Sequence, residues 1–503
     1  MAGKVYLVGA GPGEPSLMTL RGAELLGRAQ VVVYDHLASQ ELVSLTPKDC
    51  QWIDAGKRAH NHALSQDQIN QLLAQKAQEG LLVIRLKGGD PYVFGRGGEE
   101  ALYLAERGLD FEVIPGVSST IAVANAAGVP LTHRELSSQV TLLTGHGQAN
   151  PDAPEQNTLT IDFKYLNPKE TLSIVMGRQN LGLICQELIK AHWPPETLAV
   201  AIENGFTPLQ KTVSATLASL EAEVAKAGLK PPTLIVIGQV ASLRERLNWF
   251  EKRPLFGQTI LVTRTRAQAS QLSASLRELG ARVLERPAIA IEPLRPNPAL
   301  DSALGDLSKR QYLVLTSPNG AEIFFAALKT RGLDGRALHS LKIVALGPGT
   351  AAKISEQGLI VDYSPKFFQA EGLLELFKEL PKGSVLWPRA AGARDVLAEG
   401  LLSLGFEIKV IDIYQTQAIP NFIKAQDNFD LATITSSSVA KSLAASLGER
   451  LSAVKTISIG PIATKTAREA GLNVVAESRK ASIPSLIETV AQYFGQTKDA
   501  HGH

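Results

Sequence analysis

Cysteine is nearly missing from this chain: two in 503 residues, Cys50 and Cys185, far apart and without CxxC spacing. That excludes a disulfide framework or a thiolate zinc site, and a reducing compartment is the expectation. An excess of one charge is missing too. The 51 Lys and Arg stand against 49 Asp and Glu, a net +2, so nucleic-acid binding has no global electrostatic support. No apolar run approaches the roughly 20 residues that a membrane-spanning helix needs. The amino terminus, Met-Ala-Gly-Lys, enters a strand pattern directly and lacks the charged-then-apolar shape of a signal peptide. These gaps predict a soluble, cytoplasmic α/β chain with no metal site, no nucleic-acid partner and no membrane partner. Its 45% hydrophobic content is ample for several cores.

What the chain does have is glycine in telling places. The run Arg85-Leu86-Lys87-Gly88-Gly89-Asp90-Pro91-Tyr92-Val93-Phe94-Gly95-Arg96-Gly97-Gly98-Glu99-Glu100 follows the apolar stretch Leu81-Leu82-Val83-Ile84. So many glycines cost backbone entropy, and they let backbone approach a ligand closely. The carboxyl end of a strand is where open α/β sheets bind ligands. A second glycine loop, Gly9-Ala10-Gly11-Pro12-Gly13-Glu14, follows Val5–Val8, and Asp35 ends the next apolar run. A dinucleotide fingerprint nevertheless fails here. Its third glycine would be Glu14, an acid facing pyrophosphate, and Pro12 removes a donor.

A seam lies at residues 249–258, where Leu234–Gly238 reads as a last strand and Thr259–Arg264 as a fresh one. Strands alternate with helical patterns in both halves, which predicts parallel sheets covered by helices. The second half repeats itself. Ile260–Arg264 recurs as Val385–Arg389, Val314–Ser317 as Thr433–Ser436, and Ile343–Pro348 as Ile457–Pro461. Two similar α/β lobes with a cleft are the natural reading.

Together, Val8–Pro15, Tyr34-Asp35-His36-Leu37, Gly56-Lys57-Arg58 with His62, Arg85–Glu100, Val113–Ser119, Pro130–Arg134, Thr144–His146, Met176-Gly177 and Glu203–Gly205 resemble the tetrapyrrole methylase family. Within it they are most similar to the uroporphyrinogen-III C-methyltransferases, over roughly residues 3–250. The resemblance implies a two-lobed α/β fold, a homodimer formed through this half, and S-adenosyl-L-methionine in the cleft between lobes. The implied reaction is methyl transfer to C2 and C7 of uroporphyrinogen III, giving precorrin-2. Carried over position by position, Pro12, Gly88, Gly89, Asp90, Val93, Ser118, Ser119, Met176 and Gly205 would contact the donor. Asp35 would accept a proton and Lys57 donate one. Uroporphyrinogen carries eight carboxylates, so arginines are the expected grips, with Arg85, Arg96 and Arg134 as candidates. Two departures from the family pattern are conservative: Glu14 stands for the usual Asp, and Ser118-Ser119 for a pair such as Thr-Ala.

In the second half, hydroxyl residues follow strands at Thr316-Ser317, Thr435-Ser436, Gly347-Pro348-Gly349-Thr350 and Gly460–Thr464. Such residues cap helices, and helix amino termini facing a cleft bind carboxylates without many lysines. With Asp412-Ile413-Tyr414, these motifs resemble the uroporphyrinogen-III synthases over roughly residues 257–495. That resemblance implies cyclisation of hydroxymethylbilane to uroporphyrinogen III with inversion of ring D. Ser317, Thr350, Ser436 and Thr464 would hold substrate carboxylates, and Tyr414 would assist departure of the hydroxyl. Thr464 sits one place later than the family loop expects, behind Ala463.

The expected organisation is a methyltransferase at 1–250 (lobes about 1–135 and 136–250), a linker at 251–256, and a synthase at 257–495. Synthase lobes are expected from 257–290 with 418–495 and from 292–416, followed by an unstructured tail at 496–503. Two other readings remain open: a methylase for a later precorrin, or a C-terminal half that only binds carboxylates.

Overall fold

Alternation of side chains decides the first sheet. Val5, Leu7, Val31, Val33 and Val83 pack one face against Ile69, Leu73 and Leu104, while Tyr6, Val8, Val32, Ile84 and Leu86 pack the other against Leu25 and Leu26. Strands buried on both faces belong in a parallel sheet between helix layers. Each fully buried Leu or Ile contributes about 1.5–3 kcal/mol by leaving water. In the computed structural model the order is Gln51–Asp54, Val31–Tyr34, Val83–Lys87, Val5–Gly9, Phe111–Ile114, with every neighbour parallel. The structure describes residues 3–35, 40–56, 64–150, 153–264 and 266–501.

The second sheet runs Lys211–Thr216, Leu198–Glu203, Thr233–Ile237, Thr171–Val175, Val140–Thr144. Here the parallel expectation fails. Three of the four pairings are antiparallel, and only Val140–Thr144 lies parallel to its neighbour. The loop between Glu203 and Lys211 is too short for the crossover that parallel neighbours require. The core between this sheet and its helices holds Leu172, Ile174, Ile184, Leu188, Trp193 and Ile235.

By contacts, residues Met1–Gln258 with Leu276–Arg282 form one compact half, and Thr259–Ser275 with Val283–His503 the other. Residues 251–256, expected as a linker, are firmly held within the first. Glu251 accepts hydrogen bonds from Gln210, Thr212, Arg244 and Asn248, and Leu255 and Phe250 are buried.

In the second half one sheet orders Arg282–Glu285, Thr259–Val262, Leu431–Ile434, Lys455–Ser458, Asn473–Glu477. The other orders Ile289–Pro293, Glu407–Ala418, Ser384–Ala390, Tyr312–Leu315, Lys342–Ala345. The repeated segments thus occupy matching places: the strands of Thr259–Val262, Leu431–Ile434 and Lys455–Ser458 lie side by side in the same order as Ser384–Ala390, Tyr312–Leu315 and Lys342–Ala345. Of the tail expected at 496–503, the described residues 496–501 are not unstructured: they end the last helix, Ile483–His501, in which no proline or glycine follows Gly495.

Candidate active sites

Backbone contact builds the first site. Gly11 and Gly89 exchange N–H···O=C bonds of 3.3 and 2.7 Å, which joins the Pro12 loop to the Gly88–Asp90 loop. Gly89 has φ of +67°, a conformation that side chains resist, and a Cβ there would lie 3.4 Å from the Ser119 nitrogen. Asp90 ties a third loop in, accepting from Gly116 N–H at 3.0 Å and Tyr92 N–H at 2.8 Å. Its carboxylate is thus a cross-link between loops.

Helix Ser119–Ala126 is the hub. Ser118 caps it and bonds the Thr120 hydroxyl at 2.8 Å. Ser173 donates to the Thr120 carbonyl at 2.8 Å, which brings the strand leading to Met176 against the same helix. Gly205 lies against Val123 on that helix so tightly that a Cβ would overlap the valine. Gly13 faces Thr207 in the loop after Gly205. The structure therefore brings Gly89, Asp90, Ser118 and Ser119 together at one helix start, with Pro12 and Gly88 beside the Gly11–Gly89 bridge, Gly205 packed along the same helix and Met176 at the end of the strand held to it. Val93 sits half-buried in the turn that follows Asp90. Five non-glycine residues in these loops take left-handed φ: Phe94, Arg96, Met176, Asn204 and Phe206. Such conformations cost about 1–3 kcal/mol each and collect where function demands them. This glycine-lined, backbone-rich cradle suits a donor such as S-adenosyl-L-methionine.

Asp35 ends its strand beside Val83–Lys87, and an Arg85 Nη lies 3.5 Å from its carboxylate. Arg85 was expected to grip substrate. It is instead buried, its Nε held by Glu100 at 3.1 Å, so it is spent on internal pairing. Lys87 lies in the same buried cluster, and burial together with the Arg85 charge pulls its ammonium below the usual lysine range. Arg96 is exposed and paired with Glu99 at 2.7 Å, and Arg134 is exposed on the turn closed by His133 and Ser137. Lys57, Arg58, His62 and His36 lie outside the described residues.

In the second half, Tyr414 is buried with its hydroxyl 2.8 Å from the Ser317 Oγ. Burial pushes the phenol up, so it stays protonated. Ser317 also caps helix Pro318–Thr330, accepting from Gly320 N–H at 2.9 Å. The strand carrying Tyr414 shifts register beside Arg389 and Ala390, and such bulges re-aim side chains near active sites. Arg389 there is held by Asp412 at 2.9 Å and Asp395 at 2.7 Å. Ser436 caps helix Ser437–Leu447. Thr350 is buried in the first turn of helix Pro348–Ser355. Thr464 departs from its expected role: its hydroxyl is buried and donates within its own helix to the Gly460 carbonyl at 3.1 Å, beside Ser458.

Two family matches divide the chain, the Tetrapyrrole (Corrin/Porphyrin) Methylases over residues 4–221 and Uroporphyrinogen-III synthase HemD over residues 270–488. The porphyrin biosynthesis protein HemD of Ruminiclostridium josui is 39% identical over 506 residues, covering 98% of each chain. The chain belongs to both families. The uroporphyrinogen-III C-methyltransferase of Bacillus subtilis is 36% identical over 71% of this chain and 72% of its own. Among solved structures, the uroporphyrin-III C-methyltransferase of Thermus thermophilus complexed with S-adenyl homocysteine is 35% identical. It covers 47% of this chain and 93% of that one, with a TM-score of 0.40.

The protein is thus a two-part member of tetrapyrrole biosynthesis, a methylase half followed by a synthase half. Within the methylase half, sequence reasoning missed Gly9, Gly116 and Glu100 as site residues. Arg85 and Lys87 point to one face of a central buried strand, and that alternation was the available signal for a buried acid. Among the described residues no group of His, Cys, Asp and Glu could hold a metal, and no helix is long and apolar enough to cross a membrane.

Proposed function

We propose that the chain cyclises hydroxymethylbilane to uroporphyrinogen III and then methylates that product at C2 and C7, giving precorrin-2. The observation that carries this reading is the union of both family halves in one chain, with a relative alike across 98% of its length. S-adenosyl-L-methionine supplies the methyl groups as an electrophilic sulfonium. The Gly11–Gly89 bridge and the Ser118-capped helix hold and orient it, which is most of what an in-line displacement asks of a protein. Asp35, with one carboxylate oxygen unpartnered, takes the proton that the cationic tetrapyrrole releases from a pyrrole N–H or a bridging CH2, since the methylated carbon itself carries no hydrogen. In the synthase half the Ser317–Tyr414 pair serves the departing hydroxyl, and capped helix starts at Ser317 and Ser436 hold carboxylates.

The methylase half pairs with a second copy. A groove lined by Leu17, Val117, Ala122, Asn125, Phe206 and Trp249, with Trp249 half-exposed, supports that assignment. The chain works in the cytoplasm, where its two free thiols stay reduced. The inward Thr464 favours a second reading, in which the C-terminal half binds tetrapyrrole carboxylates without cyclising. The methylase assignment is tested by anaerobic incubation with uroporphyrinogen III and methyl-labelled S-adenosyl-L-methionine. Two labelled methyl groups per tetrapyrrole are expected, and an unmethylated tetrapyrrole overturns it.

A further inference from the structure

Helix Gly97–Ala105 turns Gly97, Glu100, Ala101 and Leu104 inward, so a carboxylate enters the core at the second of these four positions. Glu100 is fully buried. Its Oε1 receives three donors: Lys87 Nζ at 2.8 Å, Arg85 Nε at 3.1 Å and Gln66 Nε2 at 3.2 Å. Its Oε2 has no hydrogen-bond partner. An acid serving only to neutralise two buried cations would gain by sharing them between both oxygens. Here every donor is drawn to one oxygen. That fixes Arg85 by its Nε and leaves its far end for Asp35, 3.5 Å away. The Arg85 Nη1 is steadied by the Val33 and Leu86 carbonyls, each at 3.4 Å.

We infer that Glu100 is a positioning residue for methyl transfer, acting through Arg85 to hold Asp35 and to set its basicity. The inference rests on the assignment of Asp35 as proton acceptor. With all groups ionised, Arg85, Lys87, Glu100 and Asp35 sum to zero charge inside a desolvated pocket. Removing the Glu100 charge leaves two cations facing Asp35, stabilises its carboxylate and makes it a weaker base. Removing the Lys87 charge does the opposite. Among the described residues, the other groups facing the cluster are Gln66 and Asn70 on helix Gln66–Gln78 and Glu99 beside Glu100, while Tyr34 and its register partner Asp54 lie on the opposite face of the sheet. Gln66 and Asn70 are neutral. Asp54 accepts from the Gly56 N–H in its own turn, and Glu99 pairs with Arg96. None of these replaces the charge that Glu100 supplies.

The test is the pH profile of kcat for methylation of supplied uroporphyrinogen III by the full chain, with Glu100→Gln and Lys87→Met compared to wild type. In Glu100→Gln the acidic limb moves down by about one pH unit, with the plateau falling about tenfold as the base weakens. In Lys87→Met the limb moves up, and the KM for S-adenosyl-L-methionine holds in both. Limbs that stay in place while rates fall mark a structural role and overturn the inference. Should Glu100→Gln not fold, the upward shift in Lys87→Met decides alone, and an unmoved limb there overturns it. Asp35→Asn separates the two claims: full activity in that variant removes Asp35 as the base, whatever Glu100 does.

Discussion

Gly9 and Gly116 face each other backbone to backbone: a Cβ on Gly9 would stand 2.5 Å from the Gly116 Cα, and one on Gly116 would stand 2.7 Å from the Gly9 Cα. Neither position has a flexible side chain that can yield. A Cβ on Gly116 would also strike the Gly89 carbonyl, in the loop bridged to Gly11. Gly116→Ala is therefore expected to push the Gly88–Asp90 loop out of place. Calorimetric titration with S-adenosylhomocysteine should show affinity lost by at least about tenfold, or about 1.4 kcal/mol. Formation of uroporphyrinogen III by the same protein should be unchanged. Gly89→Ala should act in the same direction, because φ of +67° strains any Cβ there. Wild-type affinity in both variants would contradict the placement of the cradle.

Asp90 makes a graded prediction. Its two oxygens hold Tyr92 N–H and Gly116 N–H, one each. Asp90→Asn keeps one acceptor, while Asp90→Ala keeps none, so donor affinity should fall in that order. Each lost bond to a charged acceptor is worth about 1.5–3 kcal/mol before the loops relax. Equal affinities for the two variants would show that Asp90 does not cross-link the loops.

The Ser317–Tyr414 pair predicts an asymmetry in the synthase half. Tyr414→Phe removes one hydroxyl and leaves the Ser317 cap on Gly320 intact, so stability should fall by about 1 kcal/mol. Ser317→Ala both uncaps helix Pro318–Thr330 and strands the buried Tyr414 hydroxyl, and should cost about 2 kcal/mol or more. Cyclisation should slow in both, with methylation of supplied uroporphyrinogen III unaffected. Cyclisation at the wild-type rate in Tyr414→Phe would remove the tyrosine from the reaction.

Glu251 gives a pH prediction. Burial pushes its carboxyl up, but hydrogen bonds from Thr212, Gln210 and Arg244 outweigh burial and hold it below the usual carboxylate range. A depressed folded pKa means stability that is fully present above the unfolded value, near 4.3, and lost as pH falls through the folded one. Glu251→Gln should therefore melt lower than wild type at pH 7, by about 1–3 kcal/mol. The gap should narrow progressively below about pH 4. A gap that stays constant down to pH 3 would show that the charge is not what holds this segment.

Much of the fold was legible because alternation and turns are local signals. Val31–Tyr34 and Val5–Gly9 are apolar enough to announce a doubly covered sheet, and the repeated strand-end motifs announce two similar lobes. Strand direction in the sheet containing Leu198–Glu203 was not legible, since apolar runs read alike in either sense and only the short loop before Lys211 betrays the hairpin. Arg85 shows the same limit at the site. Sequence gives its charge and its place at a strand end, but not that Glu100, one face of a helix away, has already claimed it. Left-handed backbone at Met176 and Phe206 is imposed by the loops that these residues occupy, and nothing in their side chains signals it, whereas Asn204 is of a type that favours that conformation.

The central claim is that one chain carries both reactions. It is tested most directly by anaerobic incubation of the purified full chain with hydroxymethylbilane, with and without S-adenosyl-L-methionine, followed by isomer and mass analysis. The account predicts uroporphyrinogen isomer III without the donor and a dimethylated tetrapyrrole with it. Isomer I alone, formed at the spontaneous rate and left unmethylated, would contradict it.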